Sequence, residues 1–291
     1  MKYQLSVLFM LCFFCLNAQS NTEVYLCNLE SVYGGIDIFN IQNISNDPGY
    51  DSQPSFSDNN TVLFAGNHNG QTDIAQYSIS EKSKTWFHLP TDGGEYSPTH
   101  IPNGKNNVAA VRLDPDGLQR LYYYKKDSPN SSEVIEGLQV AYFAYYDDQT
   151  LLASVLGGED LDLVLCNLKT KTVDTLLTNS GRSIHKVLGS KSMSYTIINK
   201  EKNEDLYLFD VDSGESFFVC QLPIGVQDYT WLNSSQILIG SGSKIYMYDT
   251  FLSSEWKLVA DLSGAGFKNI SRMAVSPDEK KIALVAEPVQ K

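Results

Sequence analysis

The sequence predicts an all-β fold, a six-bladed β-propeller with four antiparallel strands per blade. Three observations predict it. The apolar residue just before a polar turn is Phe56, Ile101, Tyr145, Leu188, Leu232 and Val275, recurring roughly every 43 to 45 residues, the period of a four-stranded blade. Each turn is followed at once by a short strand rich in Val, Ile, Leu and Phe, then by a strand in which Tyr and Leu alternate with polar residues. The strands that the last repeat lacks are present at the other end of the chain.

Taken in order, Glu23-Val24-Tyr25-Leu26-Cys27-Asn28-Leu29 copies the third-strand pattern of Asp162-Leu163-Val164-Leu165-Cys166-Asn167-Leu168. Residues 37–45 follow as a fourth strand. The first full unit has the turn Ser57-Asp58-Asn59-Asn60, a second strand over 61–66 and a third over 73–79. The next has Pro102-Asn103-Gly104-Lys105 with strands over 107–112 and 120–125, and the third has Tyr146-Asp147-Asp148-Gln149 with strands over 150–155 and 162–168. Gly189-Ser190-Lys191-Ser192 leads to 193–198 and 205–211, and Asn233-Ser234-Ser235-Gln236 to 236–240 and 244–249. All these turns are rich in residues that favour turns. The sixth unit, with Ser276-Pro277-Asp278-Glu279, stops after a second strand over 281–286. The N-terminal strands are therefore expected to complete the C-terminal blade, which closes the ring and removes exposed edges.

Composition fits one compact β domain: 42% of residues are hydrophobic and 19% charged. A net charge of -12 removes the phosphate attraction on which nucleic-acid binding depends, so nucleic acid is excluded as a partner. Lys2, an apolar run over 5–16 and Asn17-Ala18-Gln19-Ser20 have the layout of a cleaved secretory signal, and the run is short for a membrane span. The expected division is a signal peptide over 1–19 and a single propeller domain over 20–291, giving a monomeric secreted or periplasmic product that does not span the membrane. Cys27, Cys166 and Cys220 remain after cleavage; Cys27 and Cys166 fall on opposite sides of the ring, and the three are read as buried free thiols.

Asp51-Ser52-Gln53-Pro54-Ser55-Phe56-Ser57-Asp58, with Val62-Leu63-Phe64 and Gly70-Gln71-Thr72-Asp73-Ile74 after it, resembles the TolB-type, WD40-like propeller repeat. Ser276-Pro277-Asp278-Glu279-Lys280-Lys281-Ile282, Asp205-Leu206-Tyr207-Leu208 and Lys244-Ile245-Tyr246-Met247 keep parts of it. The resemblance covers nearly the whole mature chain and implies a blade, not an activity. TolB proper is similar but carries an α/β domain ahead of its propeller, and here the blade pattern starts within a few residues of the expected cleavage site. The chain is more similar to stand-alone secreted members of the group.

The sequence carries no catalytic motif. No Gly-x-Ser-x-Gly turn, His-Glu-x-x-His or Gly-rich phosphate loop occurs, so no catalytic residue, metal ligand or cofactor is assigned. His100 and His185 fall on inner strands, while His68 and His88 are expected in a surface loop and an outer strand, in solvated positions. Asp114-Pro115-Asp116-Gly117 reads as an ordinary turn, because Leu118-Gln119-Arg120 supplies no further acidic ligand for calcium.

What remains is a surface. The loops leading into inner strands share one face with those joining second to third strands. They carry Asp47, Asp51, Asp92, Glu95, Asp114, Asp116, Glu159, Asp160 and Asp228, with Tyr50, Tyr96, Tyr142, Tyr229 and Trp231 among them. The expected binding face comprises Asp51, Asp92, Glu95, Tyr96, His100, Tyr142, Arg182, His185, Asp228, Trp231 and Arg272, with carboxylates steering a basic surface, rings supplying burial, and the two arginines balancing charge or holding an anionic group. The reading is a non-catalytic module for an envelope or extracellular protein, with a glycan as a further ligand class. The alternative is a carbohydrate-processing lyase or hydrolase at the channel mouth around Glu95, His100, His185, Asp228 and Arg272.

Overall fold

A computed structural model describes residues 21–104 and 106–289; the expected signal peptide lies outside the described residues. The strands form six four-stranded antiparallel sheets arranged as the blades of a propeller. Blades one to five are continuous in sequence, with inner strands Ser52–Phe56, Gly94–His100, Val140–Tyr145, Ser180–Lys186 and Thr230–Trp231. Blade six takes its two inner strands, Arg272–Val275 and Lys281–Ala286, from one end of the chain and its two outer strands, Glu23–Val32 and Gly35–Asn43, from the other. The closure expected from the sequence is present.

Second and third strands fall within one or two residues of expectation in blades one to five, for example Thr61–His68 and Gln71–Ser78 in blade one, and the third strand of blade six runs three residues past the expected Leu29. The residue before the first turn is shifted in three blades. Across that turn Ser57, Ile101, Tyr146, Val187, Leu232 and Ser276 donate their N–H to Thr61, Asn107, Thr150, Ser192, Gln236 and Lys281. The last inner-strand residues are therefore Phe56, His100, Tyr145, Lys186, Trp231 and Val275. Ile101 and Leu232 lie one residue into the turn and Leu188 two. Hydrophobicity placed them there because buried turn residues, such as Ile101 and Leu232, read like strand ends.

The core is not one body but six. Each contact between adjacent blades holds its own apolar cluster, from Leu63, Ile74, Val108 and Tyr124 between blades one and two to Tyr25, Leu238, Phe267 and Leu284 between five and six. Successive residues of a strand point to opposite faces, so a strand flanked on both sides within its blade supplies both neighbouring blades: Val24 and Leu26 pack towards blade one, Tyr25 and Cys27 towards blade five. That double duty explains why these strands are apolar throughout. It also separates the cysteines, since Cys27, Cys166 and Cys220 sit in three different clusters, buried and unpaired. Burial pushes each thiol up to about 12.

The closure is held along its length. Residues Glu23 to Asn28 pair with Ala286 to Lys281, Lys281 Nζ donates to Asn28 Oδ1 at 2.6 Å, and the Val289 N–H donates to the Tyr25 hydroxyl at 2.8 Å. Val24, with no exposed surface, lies between Ala283 and Val285 of its own blade and Val62 and Phe64 of blade one. Placing an unpaired carboxylate there by Val24→Asp should cost on the order of 3 kcal/mol or more and open the ring. The same change at the exposed outer-strand Val173 should cost about 1 kcal/mol or less. Denaturant unfolding followed by circular dichroism separates the two; equal losses would show that the closure is not the sensitive seam.

Candidate functional site

The six inner strands enclose a central cavity of about 330 Å³, lined by residues from every blade. Each inner strand is hydrogen-bonded on one side only, so its other backbone edge faces this channel. At the end where the strands begin, the edges are irregular. Bulges interrupt the inner strands between Ser52 and Ser55, Tyr96 and Thr99, Val140 and Tyr142, and Ser180 and Ile184. Gln53 and Ser97 take the left-handed conformation, with φ of 56° and 53°, and Gln53 Oε1 accepts the Ser97 N–H at 2.8 Å. Such bulges re-aim side chains and cluster beside functional sites.

The re-aimed residues converge on the channel mouth. Tyr50 and Tyr96 lie with ring centroids 6.2 Å apart, and Tyr50 is within electrostatic reach of Tyr142 and Arg272. Opposite the tyrosines, Asp228 Oδ2 accepts from Arg182 Nη2, and Asp228 Oδ1 lies 3.7 Å from Arg272 Nε. Burial alone would lower the Arg182 pKa, but the Asp228 carboxylate outweighs it and raises the guanidinium further. Arg182 Nε is buried without a hydrogen-bond partner. Gly181 is required beside it, because a Cβ there would collide with Thr196 Oγ1 and Glu204 Oε2. Burial pushes the Glu204 carboxyl upward, opposed in part by Arg182.

Of the residues expected on this face, Tyr142, Arg182, His185, Asp228, Trp231 and Arg272 line the cavity, as does His100 at the opposite end of its strand. Trp231 is 3% exposed; its Nε1–H and the Tyr229 hydroxyl both donate to Ser194 Oγ at 2.8 Å, so it packs blade five on blade four and offers little free surface. His185 is held neutral, its pKa lowered to about 4 by burial, with Nε2 3.0 Å from Ser183 Oγ and its ring edge-on to Tyr229. Asp92 is exposed.

Asp51 and Glu95 were expected as surface carboxylates and are fully buried. Asp51 Oδ1 accepts the Asn67 N–H at 3.0 Å, and Oδ2 has no partner. Glu95 Oε1 accepts from Thr91 Oγ1 and, at 3.2 Å, from the Tyr124 hydroxyl. Burial raises both, Asp51 to about 7 and Glu95 to about 8, with Asp73 adding to the rise at Glu95. Of the two histidines expected in solvent, His68 is partly exposed but pairs with Asp73 at 2.6 Å and stacks on Trp86, while His88, 6% exposed, is buried and stacks on Tyr124. A chain of polar side chains thus fills the seam between blades one and two. Asp114 and Asp116 are taken by Arg112 and Arg120, which makes that turn an ion-paired corner. Among the described residues no group of three or more His, Cys, Asp or Glu is arranged to hold a metal ion, and no helix is long and apolar enough to cross a membrane.

Tyr50, named among the aromatics of this face, is absent from the expected binding set, although it stands directly ahead of the Asp51-Ser52-Gln53-Pro54 motif and lies beside Tyr96.

No protein-family model matches the chain, and no curated protein matches it in sequence. Solved structures share its fold. A candidate TolB from Agrobacterium tumefaciens superposes with a TM-score of 0.68 at 11% identity, over 92% of this chain and 99% of that one. TolB from Acinetobacter baumannii gives 0.60 at 9%, over 92% of this chain and 65% of that one. An oligogalacturonate lyase solved in complex with manganese gives 0.57 at 11%, over 87% and 82%. The chain is a TolB-like six-bladed propeller in fold.

Asp51 and Glu95 hold their protons in the fold up to about pH 7 and 8, but ionise near pH 4 in the unfolded chain. Between those limits the native state binds more protons, so stability is full at the acid end and falls as pH rises, by about 1.4 kcal/mol per pH unit for each group. Thermal unfolding between pH 5 and pH 9 should show the melting temperature declining, and Glu95→Gln should flatten the decline. Parallel curves for the two proteins would mean that Glu95 is ionised in the fold.

Proposed function

We propose that the chain is an exported binding module of the cell envelope, without catalysis of its own, which docks a protein partner on the face where the inner strands begin. The observation that carries the reading is the composition of the channel mouth. Tyr142, Arg182, Asp228 and Arg272 line it, with Tyr50 and Tyr96 beside them, and tyrosine and arginine dominate the energetic centres of protein interfaces. Exposed Asp92, Glu159 and Asp160 form an acidic rim outside it, suited to steering a partner's approach. The export assignment rests on residues 1–19 as a secretory signal. The fold shared with TolB structures supports the protein-partner reading.

The fold shared with the lyase favours a second reading, carbohydrate cleavage at the same mouth by Glu95, His100, His185, Asp228 and Arg272. The geometry weighs against it. Glu95 is enclosed between blades one and two, bonded to Thr91 and Tyr124, and His100 ends its strand at the far side of the channel from Arg182 and Arg272. A glycan as ligand, not substrate, is compatible with the tyrosines.

The protein used as bait against an envelope extract should retain a saturable partner. Replacing Tyr50 and Tyr142 together by Ala should weaken retention roughly tenfold or more at an unchanged fold by circular dichroism. Reversing the rim charges in Asp92→Lys and Asp160→Lys should alter the salt dependence of binding more than its strength at high salt. A partner held equally by all three proteins would place the docking surface elsewhere.

A further inference from the structure

The charge of the mouth is opposite to that of the molecule. The chain carries a net charge of -12, and its sequence places several carboxylates on this face. Asp51 and Glu95 are withdrawn from it, fully buried in the blades behind, with burial raising the pKa of each. Glu204 is buried behind Arg182 with its pKa raised, and His185 is neutral. Asp228 is left to face two guanidinium groups. The local sum is one unmatched positive charge, facing the tyrosines across the channel and set inside an acidic rim.

Donor capacity tells the same story. A guanidinium has five N–H donors in a fixed fork. Arg182 commits Nη2 to Asp228 and leaves its buried Nε unpartnered. Arg272 approaches the same carboxylate at 3.7 Å, a distance beyond a hydrogen bond. Both side chains line the central cavity. Two forks aimed at one cavity, with one internal acceptor between them, are short of oxyanion acceptors.

We propose that the mouth binds a carboxylate carried by a peptide segment of the partner, held between Arg182 and Arg272 and packed against Tyr142 and Tyr50. The proposal rests on the binding-module reading and specifies its partner. A single planar carboxylate matches the one unmatched charge and the geometry of the fork. A dianionic phosphate would bring a second charge against Asp228. A peptide suits the rest of the channel, because the inner strands turn free backbone edges inward and extended peptides pair with such edges. The cavity, at about 330 Å³, has room for a few side chains and no folded element.

The test titrates the protein with acetyl-Gly-Glu-Gly-amide and acetyl-Gly-Gly-Gly free acid, the two sources of a peptide carboxylate, against the Gln and C-terminal amide analogues, inorganic phosphate and galacturonate. Binding is followed by two-dimensional NMR of arginine Nε–H and tryptophan Nε1–H signals. At least one carboxylate peptide should bind and its neutral analogue should bind roughly ten- to a hundredfold more weakly. Arg272→Gln should lower the affinity by a similar factor. Asp228→Asn, which frees both guanidiniums from their internal acceptor, should raise it, a gain that misfolding cannot imitate.

Equal binding of the neutral analogues, unchanged affinity in Arg272→Gln, or weaker binding in Asp228→Asn overturns the proposal. So does galacturonate or phosphate binding tenfold more tightly than either peptide, which would assign the site to a sugar acid or to phosphate. The two readings fail separately. An envelope partner that depends on Tyr50 and Tyr142 while no carboxylate peptide binds removes the carboxylate site and keeps the module. Carboxylate peptides that bind while no envelope protein is retained keep the site and remove the envelope partner.

Discussion

The antiparallel pairing of residues 23–28 with 281–286 is the constraint on which everything else depends. A propeller has no central core to fall back on; each blade is stable because both of its faces are covered by neighbours, and six separate clusters carry the burial. If blade six is incomplete, the clusters on both sides of it lose a wall, and two blade edges are left unpaired. The closing segment also reaches the functional face. Thr22, just ahead of the first strand, forms a parallel bridge with Tyr50, accepts the Asp51 N–H through its carbonyl and donates its hydroxyl to the Asp51 carbonyl at 2.9 Å. The seam that joins the chain ends therefore sets the position of one mouth tyrosine and of the buried carboxyl beneath it.

The buried carboxyls change what this face presents. A rim counted from sequence is acidic, but burial separates its members into two populations. Asp92, Glu159 and Asp160 are exposed and act at long range, screened over about 10 Å at ordinary salt. Asp51, Glu95 and Glu204 lie under the loops, where desolvation favours the protonated form. With those charges suppressed, the arginines at the channel are opposed by Asp228 alone.

The fold was legible because its determinants are local and repeated. Turn chemistry, the apolar second strand and the alternating third strand recur in each blade, and the match between 23–29 and 162–168 disclosed the closure without any tertiary information. Pre-turn positions were less legible, since Ile101 and Leu232 are buried on the far side of the turn and hydrophobicity does not distinguish the two sides. The site was half legible. Tyr142, Arg182, Asp228 and Arg272 could be placed at the mouth from their offset to the turns. Whether an acidic residue at a strand start faces solvent or the seam depends on bulges that carry no pattern of their own: Asp51 and Glu95 turn inward, and Asp228, at the start of blade five, faces the channel. The packing of His88, and of the partly exposed His68, was not legible because their stacking partners, Tyr124 and Trp86, lie on other strands.

The mouth is divided rather than symmetric, although the blades that build it are equivalent. Tyr50, Tyr96 and Tyr142 come from the approaches to blades one, two and three; Arg182, Asp228 and Arg272 come from blades four, five and six. One half of the ring offers rings whose faces are apolar and whose hydroxyls are hydrogen-bonding tips, and the other half offers charge. A ligand with rotational freedom about the channel axis would average over the two halves; one with an apolar side and an anionic side can satisfy both in a single orientation. Sixfold repetition alone would give a hole lined identically all round, with nothing to fix a ligand's azimuth. It is the divergence of one residue per blade at the start of the inner strand that converts the repeat into a directional site, and bulges that displace those residues from regular strand geometry allow them to diverge without disturbing the blade packing behind them.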